Sequence, residues 1–245
     1  MTMTMTMTNI PLSVIVPVYR AATLLVPVVQ ECLAVVPQFF PDYEVILVDD
    51  GSTDATPTIA DNLAAHHDPV MVIHHRRRQG YGCALLSGGR AARGEYILLI
   101  DTSSLANLSE IAPLVPYVGQ YDLVMGYPHQ SPPRSFPRIP QILSFRCFHR
   151  FHDRAMTRLV NRLLGLDIQD VGYPCRFFRT TLLQEQPFRS YGPLISAEIY
   201  AWARQRGSLP IQVSVQHHTR RGRWRYRYDR VGLRSLRDVL RLWGR

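Results

Sequence analysis

Residues 44–56 read EVILVDDGSTDAT. An unbroken apolar run, Val45 to Val48, ends on two carboxylates, Asp49 and Asp50, and then on a glycine. A strand that is apolar at every position, rather than at alternate ones, is covered on both faces, as in a parallel sheet. Gly51 suits a turn, Ser52, Thr53 and Asp54 are competent helix N-caps, and Pro57 suits a first helical turn. The stretch therefore predicts strand, turn and helix, with its carboxylates left at the carboxyl end of the strand. That is where open α/β sheets bind ligands.

The same pattern extends outward. Residues 12–18, 43–49, 70–74, 95–101 and 122–126 are strand-like, and 23–35, 57–66, 81–92 and 109–117 are helical in pattern. Strands alternating with helices imply βαβ units and a parallel sheet. After Gly126, residues 128–140 contain five prolines and are expected to form a loop or lid. A helix is expected at 141–164, with Arg146, Arg150, Arg154, Arg158 and Arg162 stepping every four residues. Strand-like pieces at 175–178 and 209–215 bracket a helix at 196–206, and an amphipathic helix closes the chain at 231–243. With 245 residues and 46% hydrophobic content, the expectation is a single α/β domain over 11–218. It has a Rossmann-like, mostly parallel sheet flanked by helices. A disordered leader at 1–10 precedes it, and an arginine-rich tail with a basic C-terminal helix follows at 219–245.

The net charge is +9, and all 28 basic residues are arginine. Arginine's planar fork suits phosphate, although genomic composition also accounts for an absence of lysine, so placement is more informative than identity. The tail carries ten arginines interleaved with Trp224, Tyr226 and Tyr228. Anionic headgroups or phosphate are the expected contacts of such a surface, since no nucleic-acid module accompanies it. A solvated face is the plain alternative. No apolar run is long enough to span a bilayer, and the leader lacks the pattern of a secretory signal. Four dispersed cysteines argue against a disulfide framework, so the expected location is the cytoplasm, peripheral to the membrane face. The histidine pairs, His74-His75 among them, lack partners at ligand spacing and are assigned no metal. The oligomeric state stays open, a homo-oligomer included.

A carboxylate at a strand's end accepts hydrogen bonds from a nucleobase or ribose, and a following helix terminus adds backbone donors. PVY (17–19) ends the first strand, and QGYGCALLSGGRAARGEYILLID (79–101) brings a glycine turn, a helix and a strand ending in Asp101. In this order and spacing the chain resembles family 2 glycosyltransferases, particularly those that transfer a sugar to dolichyl or other polyprenyl phosphates. The resemblance implies a GT-A fold, a nucleotide-sugar donor and inversion at the transferred sugar. It implies a nucleotide-sugar pocket at Pro17, Val18, Tyr19, Val48, Asp49, Asp50, Gly80, Asp101 and Ser103.

It further implies a divalent cation, magnesium or manganese, at Asp101 and Ser103, where the family's Asp-x-Asp has a second aspartate in place of Ser103. Asp101 is the expected catalytic carboxylate. DVGYPCRFFR (170–179) looks like the family's acceptor motif and HTRRGRW (218–224) like its later arginine segment, so Arg176, Arg179, Arg220 and Arg221 are expected on an acceptor phosphate. An ionised phosphate attacks without a general base, whereas a saccharide hydroxyl needs one, for which Asp170 or Glu198 is available. PVYRA departs from the family's PVYNE, which suggests Arg20 as an electrostatic substitute at the weakened metal site. A non-catalytic, nucleotide-sugar-binding homologue is the alternative reading.

Overall fold

The structure is a computed structural model, and it describes residues 7–100, 108–129, 157–162, 164–170, 173, 175–184, 188, 190, 192, 195–208 and 210–215. In chain order the elements are β1 (Leu12–Val18), α1 (Leu25–Val35), β2 (Tyr43–Asp49), α2 (Thr56–His66), β3 (Val70–His74) and α3 (Tyr81–Ala91). There follow β4 (Tyr96–Leu99), β5 (Leu123–Pro128), β6 (Arg176–Arg179), a single turn α4 (Thr181–Gln184), α5 (Ile195–Gln205) and β7 (Pro210–Val215). The strands form one seven-stranded sheet in the order β3-β2-β1-β4-β6-β5-β7. All pairs are parallel except those of β6, which runs against both β4 and β5.

Alternation along each strand divides the core into two layers. Val14, Val16 and Val18 of β1 and Val45 and Leu47 of β2 face a cluster that includes α1 (Leu25, Val28, Val29) and α2 (Ala60, Leu63). Ile15, Ile46 and Val48 face the other, with α3 (Ala84, Leu85, Leu86) and α5 (Ile195, Ile199, Ala203). Helices on both sheet faces are the reason that β1 and β2 carry almost no exposed position.

Two expectations are corrected. The helix expected at 109–117 is two short 3-10 turns, Leu108–Ile111 and Val115–Tyr117. Pro113 and Pro116 lack the N–H groups an α-helix would need there, and a tighter turn tolerates this. Part of the expected leader also joins the fold: the Thr8 N–H donates to the Phe39 carbonyl at 2.9 Å, and Ile10 packs on the first cluster. Of the helix expected at 141–164, residues 157–162 are helical, with Val160 buried and Arg158 and Arg162 exposed. The proline-rich stretch beyond 129, Arg146, Arg150 and Arg154, and the tail from 216 lie outside the described residues. No described helix is long and apolar enough to cross a membrane.

Candidate active site

β1 lies between β2 and β4, so the chain leaves it toward β2 on one side and returns beside it as β4 on the other. Such a reversal opens a crevice at the carboxyl ends of the strands. Register sets what stands at that rim. Val18 pairs with Asp49, and Asp49 with His74. The Asp50 N–H donates to the Val18 carbonyl at 2.9 Å, so Tyr19 and Asp50 leave adjacent strands side by side. β4 runs parallel to β1, and its following residue, Ile100, donates to the Ile15 carbonyl at 3.0 Å. Asp101 and Ser103 lie outside the described residues.

The DDGSTDAT segment is tied together by hydrogen bonds. Asp49 Oδ1 accepts the Ser52 N–H at 3.0 Å, and the Ser52 hydroxyl accepts the Arg20 N–H at 2.9 Å. The Thr56 hydroxyl accepts the Ala21 N–H at 2.8 Å, and Asp54 accepts the Thr56 N–H at 3.1 Å. The segment therefore holds the loop after β1 as well as its own turn. Gly51 has φ +69°, and a Cβ there would sit 2.5 Å from the Arg77 carbonyl carbon, so only glycine lets loop 76–80 pack this closely.

Asp50 organises that loop. Its Oδ1 accepts the Gln79 N–H at 2.7 Å and faces His75 Nδ1 at 2.9 Å, while Oδ2 accepts the Gly80 N–H at 2.8 Å. Gly80, with φ 112° and ψ 162°, is the N-cap of α3 in a conformation that only glycine adopts readily. The Arg78 guanidinium lies 4.2 Å from the Tyr19 ring centroid and covers it. A half-buried aromatic ring, an exposed cation and a buried carboxylate thus stand together on one rim.

His74 bridges two carboxylates, with Nδ1 3.0 Å from Asp49 Oδ2 and Nε2 3.0 Å from Asp61 Oδ1. The hydrogen bonds to Asp61 and Asp49 outweigh desolvation and hold the imidazole above its ordinary value. A raised folded value means that its stabilisation is complete below the unfolded value, near 6.5, and fades as pH rises through the folded one. His74→Gln is therefore expected to lower thermal stability at pH 5.5 more than at pH 8.5. Melting curves across that range test it, and an equal deficit at both ends would count against the charge.

Several expected site residues are relocated. The Val18 and Val48 side chains lie in opposite core layers, 2% and 0% exposed, so only their backbone can meet a ligand. Arg176 pairs with Leu99 at the correct rim but is 4% exposed, and its Nη1 donates to the Ser196 hydroxyl. It is embedded in the core, not open to an acceptor. Arg179 pairs with Tyr96, at the opposite end of β4, and donates to Asp122 and Glu95 at 2.8 Å each and to the Tyr96 hydroxyl at 3.0 Å. Its expected contact with an acceptor phosphate is corrected, because an antiparallel β6 carries it roughly 10 Å along the sheet, away from the crevice. Arg179→Met is expected to cost about 2 kcal/mol of stability and to leave acceptor KM unchanged. Chemical denaturation and steady-state kinetics check the two halves.

Asp170 is half-buried, and its charge acts on the phenol of Tyr173. Burial pushes that phenol well above its ordinary range, and its hydroxyl donates to the buried Glu110 at 2.9 Å. Glu198 accepts the Ser190 N–H at 2.9 Å, a structural use of the other candidate base. Arg20 has φ 53°. Against the upward push of burial, the Thr56 hydrogen bonds and the Arg20 charge hold the Asp54 carboxyl below its ordinary range. Arg220 and Arg221 lie outside the described residues. Sequence reading missed His74, His75, Gln79 and Ser87, although two aspartates and two histidines ending in-register parallel strands were a usable signal.

Among the described residues no group of three or more His, Cys, Asp or Glu side chains is arranged to hold a metal. Asp49 and Asp50 already accept two and three hydrogen bonds respectively, so they do not fit the role of cation ligands.

The seven-stranded, mostly parallel sheet with helices on both faces has the GT-A architecture. Residues 13–186 match the family described as Glycosyl transferase family 2, and the chain belongs to it. It is similar to glycosyltransferase AglD of Haloferax volcanii, at 34% identity over 49% of this chain and 20% of that protein. It is also similar to an undecaprenyl-phosphate 4-deoxy-4-formamido-L-arabinose transferase of Pseudomonas fluorescens, at 25% identity over 91% of this chain and 62% of that one. The chain thus spans from a fifth to about three fifths of the length of these relatives. Among solved structures, glucosyl-3-phosphoglycerate synthase of Mycobacterium tuberculosis, crystallised with Mn2+ and UDP-glucose, superposes with a TM-score of 0.66. The match has 18% identity and covers 96% of this chain and 79% of that one, a likeness of fold.

Proposed function

We propose that this chain transfers a sugar, with inversion, from a nucleoside-diphosphate sugar to a polyprenyl-phosphate-like acceptor at a membrane surface. The observation that carries the reading is the Asp50 loop. A nearly buried carboxylate at the switch point is held by two backbone N–H groups, beside the Tyr19 face and an exposed cation. Relatives named for undecaprenyl phosphate and for dolichyl phosphate support the acceptor class.

An acceptor phosphate is ionised at neutral pH, so its oxygen attacks the anomeric carbon without a general base while the nucleoside diphosphate departs from the opposite side. Rate then depends on positioning and on neutralising the leaving diphosphate. Asp101, with Ser103, is the group that would hold a magnesium or manganese ion. When bound, that ion would supply the neutralising charge. Arg220 and Arg221 are the arginines proposed for the acceptor phosphate, and the tail of ten arginines for anionic lipid.

The test is transfer from UDP- and GDP-sugars to undecaprenyl phosphate in detergent, with Mn2+, Mg2+ or chelator. Asp101→Ala is expected to lower the rate by roughly 100-fold with the circular dichroism unchanged. Nucleotide binding with no transfer from any donor would instead identify a non-catalytic homologue. Transfer to a saccharide hydroxyl, lost in Asp170→Asn, would replace the phosphate acceptor.

A further inference from the structure

We infer that His75 is the positioning residue of the nucleotide pocket, clamping Asp50 to helix α3 so that a single acceptor position faces the ligand. This rests on the nucleotide reading above and adds to it a residue outside the expected site.

His75 follows β3 directly, and its N–H donates to the Asp49 carbonyl at 2.8 Å, extending the ladder by one step. Its side chain is 6% exposed, as is that of Asp50. Nδ1 lies 2.9 Å from Asp50 Oδ1, and Nε2 lies 2.9 Å from the Ser87 hydroxyl. An ionised carboxylate only accepts, so the Nδ1 proton faces Asp50, and in the neutral ring Nε2 accepts from Ser87. Among the described residues Oδ1 then receives two donors, His75 and the Gln79 N–H, whereas Oδ2 receives the Gly80 N–H alone. Oδ2 therefore keeps the one open lone pair, and its direction is fixed by the bonds on Oδ1.

Ser87 is the anchor. It sits on α3, which Ala84, Leu85 and Leu86 lock into the second core layer. Arg76, Arg77 and Arg78 in the intervening loop are exposed, so the Asp50 hydrogen bonds share the loop's order with its packing on Gly51 and the Arg78 contact with Tyr19. The order Asp50, His75, Ser87 is also that of a serine hydrolase relay. Here Ser87 lies in the second turn of α3, where backbone N–H groups are spent on the helix's own carbonyls and offer no oxyanion site beside it.

Calorimetric titration of the full chain with UDP and with GDP tests the assignment. Asn at position 75 reaches as far as Nδ1 and keeps the donor to Asp50, while Gln reaches as far as Nε2, keeps Ser87 and loses that donor. His75→Asn is expected to stay within about threefold of the parent affinity and His75→Gln to weaken it by roughly tenfold or more. Ser87→Ala, which lets the ring turn, is expected to weaken it by about threefold without loss of fold. Equal losses in His75→Asn and His75→Gln would make the role one of packing and overturn the inference, as would parent-like binding in both His75→Gln and Ser87→Ala. A parent chain that binds neither nucleotide would remove the nucleotide reading itself, and this inference with it. Firm parent binding with unresponsive variants would remove the inference alone.

Discussion

Asp50→Ala is expected to weaken nucleotide binding by roughly 100-fold, about 2.7 kcal/mol, because it removes the carboxylate proposed to meet the ligand together with the three hydrogen bonds that fix loop 76–80 around it. Direct contact with the ligand is only part of that loss. The Gln79 and Gly80 N–H groups and His75 Nδ1 are left without their shared acceptor, and loop 76–80 keeps its packing on Gly51 and the Arg78 contact with Tyr19. Asp50→Asn should rescue little, since its amide NH2 must face one of the same N–H donors. Titration with UDP and GDP measures the affinity. Hydrogen exchange over residues 75–80 reports the loop, with faster exchange in both variants and no change at β1 or β4. Normal exchange with lost affinity would mean that Asp50 serves the ligand alone.

Glu44→Ala is expected to be the most destabilising single change at the far end of the sheet. Glu44 on β2 is 7% exposed. Its Oε1 accepts the Ser13 hydroxyl at 2.6 Å and the Arg93 N–H at 2.7 Å, and its Oε2 faces Arg93 Nε and Nη2 at 3.0 Å each. Ser13 in turn accepts the Gly94 N–H at 2.9 Å, and the Thr180 hydroxyl donates to the Gly94 carbonyl at 2.6 Å. The Arg93 side chain is 82% exposed, so its ion pair contributes little. The buried donors left by truncation cost more, and the sum is about 4 kcal/mol.

Burial pushes the Glu44 carboxyl up, but the hydrogen bonds from Ser13 and from the Arg93 backbone and side chain outweigh it, and the net shift is downward. A depressed folded value gives stability that is present above the unfolded one, near 4.3, and is lost as pH falls through the folded one. Glu44→Gln should therefore flatten the acid limb of the stability curve. Urea titrations of parent and variants between about pH 3 and 7 measure both effects. Nucleotide affinity, measured on folded variant, should be unchanged, because this cluster and Asp50 lie at opposite ends of β2.

The first three strands were legible to the residue: β1, β2 and β3 coincide with the apolar runs at 12–18, 43–49 and 70–74. Sheet faces covered on both sides demand apolar residues throughout, and that demand is local enough to read. The region around 109–117 was not legible in the same way. Its apolar spacing suits a helix, and two prolines divide it into tighter turns. The arginines of CRFFR matched a motif equally well, yet the structure separates them. One stands at the crevice end of β4 and the other at its far end, because β6 enters the sheet antiparallel.

The linear order of residues was enough to determine the alternation of strand and helix, the placement of Asp49 and Asp50 at a strand's carboxyl end, and the expectation of a ligand there. Periodicity and turn chemistry act over a few neighbours, so they are written into the chain itself. Only the tertiary structure decided which partners those carboxylates take, which arginines reach the crevice and which are enclosed. His75 meets Asp50 across 25 positions and Ser87 across 12, and Arg179 meets Asp122 and Glu95 across 57 and 84. Contacts over such separations exist only once strand order, direction and register are fixed, and those follow from burying both faces of the whole sheet at once.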